Sequence, residues 1–460
     1  MEASIFDSVE AQRLAIAERR LEPGRLMSAT LEQIERLDPT LRSFVAITAT
    51  SARREADAAD RRARASESVE PLLGIPFGVK DNIDAAGWPT TAASSFLRSN
   101  VAAEDATVVA RLRAAGAILV GKLNMHEFAS GVTSESEDFG TVQNPFDRDR
   151  IPGGSSSGSA VAVATGQVAF SLGTDTGGSV RIPAALCGVV GLKPTTGRVP
   201  TRGVVPWSWV LDHVGPLTRT VRDAALVLSS IAGFDVGDPA TLDHPVDEYL
   251  AGIDGGVEGL ELAIPRSFLG DVEPAVGAIV DDAIRGLVDA GARLHEVDWP
   301  EIGASVDVHR VIVDADLAAF QRDRFGEAPE RFSADLRARL VRGTARSGSE
   351  VAVARRTQLA MTRQVDLRLA EIDALVLPTV PIVAPRRAGL DGARASEMLA
   401  SLVRPFSLFG TPAISLPVGD VAGLPVGLQI VTARWTEARL LRIARAVERQ
   451  VSWQPRTFGT

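Results

Sequence analysis

Cysteine, lysine, histidine and tyrosine are scarce in these 460 residues, and the scarcities exclude several chemistries. The single cysteine, Cys187, rules out an internal disulfide framework and a cysteine-built zinc site. Five histidines, His126, His213, His244, His295 and His309, stand far apart with no HExxH pattern, so no histidine-built metal site is expected. No charged and apolar leader opens the chain and no apolar run approaches a membrane span. The expectation is therefore a cytoplasmic protein without membrane contact. A formal net charge of −9 argues against a broad phosphate-neutralising face, and nucleic acid is not an expected partner.

Of 49 lysines and arginines only three are lysine: Lys80, Lys122 and Lys193, each in a Gly/Pro-marked motif. Arginine stays protonated in proteins, whereas a desolvated lysine can lose its proton, so a position that needs a neutral amine cannot use arginine. Lys80 ends the short buried-strand pattern Leu72-Leu73-Gly74-Ile75-Pro76-Phe77-Gly78-Val79. Two readings of it stay open, a base with a lowered pKa or a core lysine paired with Asp81 or Asp84. His126 has a similar choice between general base and loop tether. The absence of an Asp or Cys partner at motif spacing favours the tether.

Two Gly/Ser clusters organise the middle of the chain. One is Gly153-Gly154-Ser155-Ser156-Ser157-Gly158-Ser159; the other is Gly173-Thr174-Asp175-Thr176-Gly177-Gly178-Ser179-Val180-Arg181, with Ser155 twenty-four residues before Ser179. Both leave backbone-exposing segments at the ends of apolar runs, where main-chain amides can hold a reacting group. Between them Ala160-Val161-Ala162-Val163-Ala164 is uniformly small. That composition suits a helix whose neighbours leave no room for larger side chains.

Strand and helix patterns alternate along the rest. Residues 5–45 have helical spacing, the second segment ending before Asp38-Pro39, and residues 51–69 read as a wetted helix. A helix from Asp105, a strand over 117–121, a helix with Val276, Val280, Ile284 and Leu287 on one face, and strands at 293–297 and 373–379 indicate an α/β fold. Residues 305–370 form a long helical region whose interspersed charges suggest a solvent-facing surface, and Thr436 caps a terminal helix to Gln450. Neither a clear domain boundary nor a repeat appears.

With Lys80, the two clusters, Asp212-His213-Val214-Gly215-Pro216 and Gly410-Thr411-Pro412-Ala413 in order, the chain resembles the amidase signature family of Ser, cis-Ser, Lys amide hydrolases. The resemblance implies one large α/β domain over residues 1–460, a mixed central β-sheet covered by helices. Residues 1–65 would be N-terminal docking helices and 305–370 a helical elaboration. It implies Ser179 as nucleophile, Ser155 as bridging serine and Lys80 as base, with the N–H groups of Thr176, Gly177, Gly178 and Ser179 as the oxyanion hole. Met125, Trp207 and Trp209 are candidates to line the substrate pocket; for the tryptophans, loop packing is the alternative. The expected reaction is hydrolysis of a small carboxamide to a carboxylate and ammonia or an amine through a seryl acyl-enzyme, with no metal and no cofactor expected and a homodimer left open.

Two other family roles are alternatives, the glutaminase subunit of a glutamyl-tRNA amidotransferase and a catalytically silent scaffold. Arg342-Gly343-Thr344-Ala345-Arg346 resembles the glutaminase subunit, but the tyrosine-rich stretch usual after it is absent and Tyr249 is the single tyrosine. Ser157, Val210 and Ser407 also depart from the family pattern, which has Gly, Ser and Asn more often there.

Overall fold

Eleven strands join edge to edge in the computed structural model, which describes residues 4–65, 70–136, 138–453 and 456–458. In chain order they are β1 (Phe44–Ile47), β2 (Pro76–Lys80), β3 (Ile118–Leu123), β4 (Phe170–Asp175), β5 (Val190–Lys193), β6 (His213–Thr218), β7 (Glu261–Ile264), β8 (Arg293–Glu296), β9 (Ala374–Pro378), β10 (Ala413–Val421) and β11 (Leu424–Val431). They form one sheet in the order β1-β3-β2-β4-β6-β5-β10-β11-β9-β7-β8. The pairs β2/β3, β2/β4, β7/β8 and β7/β9 are parallel and the others antiparallel. The fold is a single large α/β domain with a mixed sheet, and among the described residues no helix is long and apolar enough to cross a membrane.

Burial explains the strand compositions. β2, β3, β4, β5 and β6 have no exposed position, so their sequences are mostly apolar or small, and each also buries one charged or ring-polar side chain: Lys80, Lys122, Asp175, Lys193 and His213. β6 is the surprise, since Gly215 and Pro216 sit in the interior of a central strand. A Cβ at residue 215 would collide with the Leu192 carbonyl oxygen, so the strand needs glycine for β5 to come close. β8 lies at the other extreme, exposed at all four residues on the sheet edge.

The helix Ser157–Ala164 is buried along its whole length, and a side chain at Gly158 would strike the Ser43 carbonyl. The small-residue run is thus a packing requirement. The helix Pro274–Asp289 buries Val276, Val280, Ile284 and Leu287, the face its spacing indicates. The helix Pro23–Leu41 runs past Asp38-Pro39, where an end was expected, because Pro39 lies in its last turn and Leu41 is buried beyond it. The expected helix over 51–69 is seen as Ala49–Ala65, and residues 66–69 lie outside the described residues. The helical region comprises Pro300–Glu327, Ala334–Thr344 and Gly348–Leu369.

Candidate active site

Parallel pairing of β2 with β4 delivers their C-terminal ends to one place, with Val79 opposite Leu172. Lys80 Nζ consequently lies 2.7 Å from Thr174 Oγ1 and 2.7 Å from Ser155 Oγ. Lys80 and Ser155 are completely buried, and the Gly154–Ser155 peptide bond is cis. Ser156 stitches the clusters together. Its Oγ donates to the Thr174 carbonyl and accepts from the Thr174 N–H, and its own N–H donates to the Ser179 carbonyl, each at 3.2 Å.

The pairing of Lys80 with Asp81 or Asp84 does not occur. Asp81 lies 3.1 Å from Lys122 Nζ, both side chains fully buried, and accepts the Thr91 N–H. Lys80 has no carboxylate at ion-pair distance among the described residues. Burial therefore lowers its pKa to about 7, against the opposing pull of Asp212 and Asp175. Burial raises Asp212 to about 6, although its carboxylate accepts from Thr176 Oγ1 at 2.5 Å and from the Trp207 and Ser208 N–H groups.

Asp175 and Arg181 form a fully buried ion pair under the glycine loop. Burial opposes the aspartate charge, yet Arg181 holds the carboxyl well below its ordinary range. Ser407 joins this pair, donating to Asp175 Oδ1 at 3.0 Å and accepting from Arg181 Nη2 at 2.8 Å, so the departure at residue 407 retains a polar partner. Gly178 has φ of +116°, and a Cβ there would collide with Val403. Its N–H donates to Asp175 Oδ1 at 2.8 Å. That bond corrects the expected set of four oxyanion donors, because the Gly178 amide is already committed.

His309 escaped the sequence reading. It projects from the helix Pro300–Glu327, and its Nε2–H donates to the Thr176 carbonyl at 2.8 Å. Burial and then the charge of Arg404 lower its pKa to about 3, so the ring is neutral at pH 7. His126 is a tether, its Nδ1 accepting the Ser134 N–H at 3.1 Å, and burial lowers its pKa to about 4.

Trp207 lines the cavity at Ser179, together with Gly177, Ile182, Arg339 and Arg404. The other two pocket candidates are not there. Met125 is fully buried in an apolar cluster, and Trp209 is half exposed on a separate cavity of about 590 Å³ with Phe320 and Val210. Trp209 sits near its pocket only in sequence, because its ring turns outward to meet Phe320 edge-on at 6.2 Å. Arg339 was expected on a solvent-facing helix surface, but it is only 12% exposed, and Arg404 is only 7% exposed.

A mixed sheet that delivers a buried lysine and a buried serine to a glycine loop is the frame of this site, and the class of enzyme, amide-hydrolysing, is given by the family. The chain belongs to the Amidase family, whose model matches residues 25–441. A glutamyl-tRNA(Gln) amidotransferase subunit of Roseiflexus sp. (strain RS-1) is 41% identical over 469 residues, covering 96% of each chain. Among solved structures, one from a vestigial protein complex that reveals the origins of an s-triazine catabolic enzyme has a TM-score of 0.92 at 34% identity, covering 96% of this chain and 98% of that one. The peptide amidase from Stenotrophomonas maltophilia has a TM-score of 0.85 at 33% identity, covering 98% of this chain and 99% of its own.

Proposed function

We propose that the protein is an amidase that hydrolyses a small carboxamide through an acyl-enzyme on Ser179. The observation that carries this reading is a buried Lys80, without a carboxylate partner, held 2.7 Å from Ser155 Oγ. As a neutral amine Lys80 accepts the Ser155 proton while donating to Thr174 Oγ1. Ser155 in turn takes the proton of Ser179 as Ser179 Oγ bonds to the carbonyl carbon. The amides of Thr176, Gly177 and Ser179 remain to receive the oxyanion. Collapse breaks the C–N bond, and the proton returns along the same relay to the departing nitrogen, which leaves poorly without it. Water, deprotonated through the relay, then cleaves the seryl ester and releases the carboxylate.

Ammonium release by the purified chain, measured over aliphatic amides, aryl amides, amino-acid amides and ureas, tests the proposal. Turnover by the chain alone that is lost in Ser179→Ala supports it. A folded protein that turns over none of them contradicts it.

A second reading is favoured by the 41% identity to the amidotransferase subunit of Roseiflexus. In that case the chain releases ammonia from glutamine for a tRNA-bound acceptor, together with companion subunits. It uses the same relay, and glutamine hydrolysis that appears only on adding those subunits would identify it.

A further inference from the structure

The cavity in front of Ser179 is chemically one-sided. Arg339, from the helix Ala334–Thr344, and Arg404, which begins the helix Arg404–Leu408, both line it, and among the described residues no carboxylate does. Arg339 has little holding its charge. Its Nη1 is 3.9 Å from Asp314 Oδ1, beyond hydrogen-bond reach, and the other oxygen of Asp314 is 3.3 Å from Arg342 Nε. Asp314 Oδ1 itself is buried without a hydrogen bond. Arg404 donates to Glu397 at 2.9 Å, but Glu397 also receives Arg310 at 3.0 Å. With the exposed Asp307 assigned to Arg310, four guanidiniums share three carboxylates.

A further donor at the cavity, beside Ser179 and Ser396, has no acceptor. Trp207 Nε1–H is buried without a hydrogen-bond partner, and the Arg339 guanidinium lies over its ring at 5.4 Å from the centroid. A buried donor without an acceptor and a mostly buried cation short of anions both call for the same thing, an anionic oxygen acceptor.

We propose that this cavity takes an amide whose acyl part ends in a carboxylate, received by Arg339 and Arg404. The inference rests on the amidase reading and adds the substrate class. Free space at the cavity is about 20 Å³, about one water's worth. The arginine side chains therefore swing aside as the acyl group enters, and the carboxylate becomes their new partner. An α-amino acid amide is a poorer fit, because its ammonium would face two guanidiniums with no acid beside it. The preferred substrates are monoanionic ω-amides, which sets this chain apart from a glutamine hydrolase.

The test compares glutaramate, its neutral analogue pentanamide and L-glutamine as substrates, and measures their binding to Ser179→Ala protein by calorimetry. The expected result is a kcat/KM for glutaramate at least thirtyfold above pentanamide and at least tenfold above glutamine. In Arg339→Met the glutaramate-to-pentanamide ratio should fall at least tenfold. Arg404→Gln serves as the second variant if Arg339→Met loses its thermal unfolding transition. Equal kcat/KM for glutaramate and pentanamide, or an unchanged ratio in a folded variant, overturns the inference while the amidase reading stands. Glutaramate binding to Ser179→Ala that weakens at least tenfold on adding Arg339→Met, without hydrolysis by the wild type, supports the anion site and removes the amidase reading instead.

Discussion

Below Ser179 the helix Ser157–Ala164 and strands β2 and β4 bury every residue, and a Cβ at Gly78, Gly158 or Gly173 would collide with its neighbours. On its other side the helix Gly348–Leu369 buries only Ala354, Val365 and Leu369, and the neighbouring helices Pro300–Glu327 and Ala334–Thr344, each with an apolar buried face and a charged exposed one, contribute His309 and Arg339. In the proposed mechanism the lower region fixes the distances of the proton relay. The upper region sets what the relay meets. Close packing makes the first intolerant of change, whereas long amphipathic helices can replace one inward side chain and keep their fold.

Substitutions below should therefore cost far more than substitutions above. Ser179→Ala and Lys80→Met are expected to lower amide turnover by about 10⁴-fold or more, read as steady-state ammonium release from folded protein. A folded Lys80→Met protein that retains a tenth of the activity would break the comparison. Ser155→Ala should cost about 10²–10⁴-fold with an amide and distinctly less with an activated ester, whose leaving group needs no proton. Equal losses for both would remove Ser155 from the relay.

The pH profile sharpens the account of Lys80. Its folded pKa is lowered to about 7, and the neutral form is the active one, so kcat/KM should fall as pH drops through 7. Asp212→Asn removes a negative charge that supports the protonated amine, and the acidic limb should move to lower pH; a limb that stays in place argues against that coupling. The same shift has a stability sign. Between about pH 7 and the unfolded value near 10.5 the unfolded chain binds the extra proton, so stability rises with pH across that window. Wild type should gain on Lys80→Met over this range in denaturant titrations, and no gain would contradict the depressed pKa.

The smallest effect belongs to the upper region. His309→Phe removes the hydrogen bond to the Thr176 carbonyl and should lower kcat about tenfold, as expected for one bond of roughly 1.4 kcal/mol, with KM little changed. A loss as large as that of Lys80→Met would erase the distinction between the two regions.

Much of the lower region was legible because its physics is local. A lysine kept where arginine replaces nearly all others, glycines at tight loops and a run of small residues each mark a constraint in the sequence itself. Strand β6 was not legible, since Gly215-Pro216 reads as a turn until Leu192 is known to press against it. Nor was the fate of Asp81, whose neighbour in sequence is Lys80 but whose partner in space is Lys122. For Arg339 no signal existed, because an inward arginine and a wetted one look alike on an Ala/Arg-rich helix, and nothing near His309 or Arg404 in the sequence ties either to the glycine loop. Of the two readings of Trp209, the pocket at Ser179 does not hold and packing against Phe320 does, because the direction of a loop, which the sequence does not show, decides between them. The missing tyrosines pointed away from the amidotransferase, yet the chain is 41% identical to one of its subunits.

Intact-protein mass spectrometry after treatment with a fluorophosphonate tests the central claim most directly. The account predicts one adduct, located on Ser179 by peptide mapping, absent in Ser179→Ala and formed at least a hundredfold more slowly in Lys80→Met. An adduct on another residue, or labelling of Ser179 at the same rate without Lys80, would contradict it.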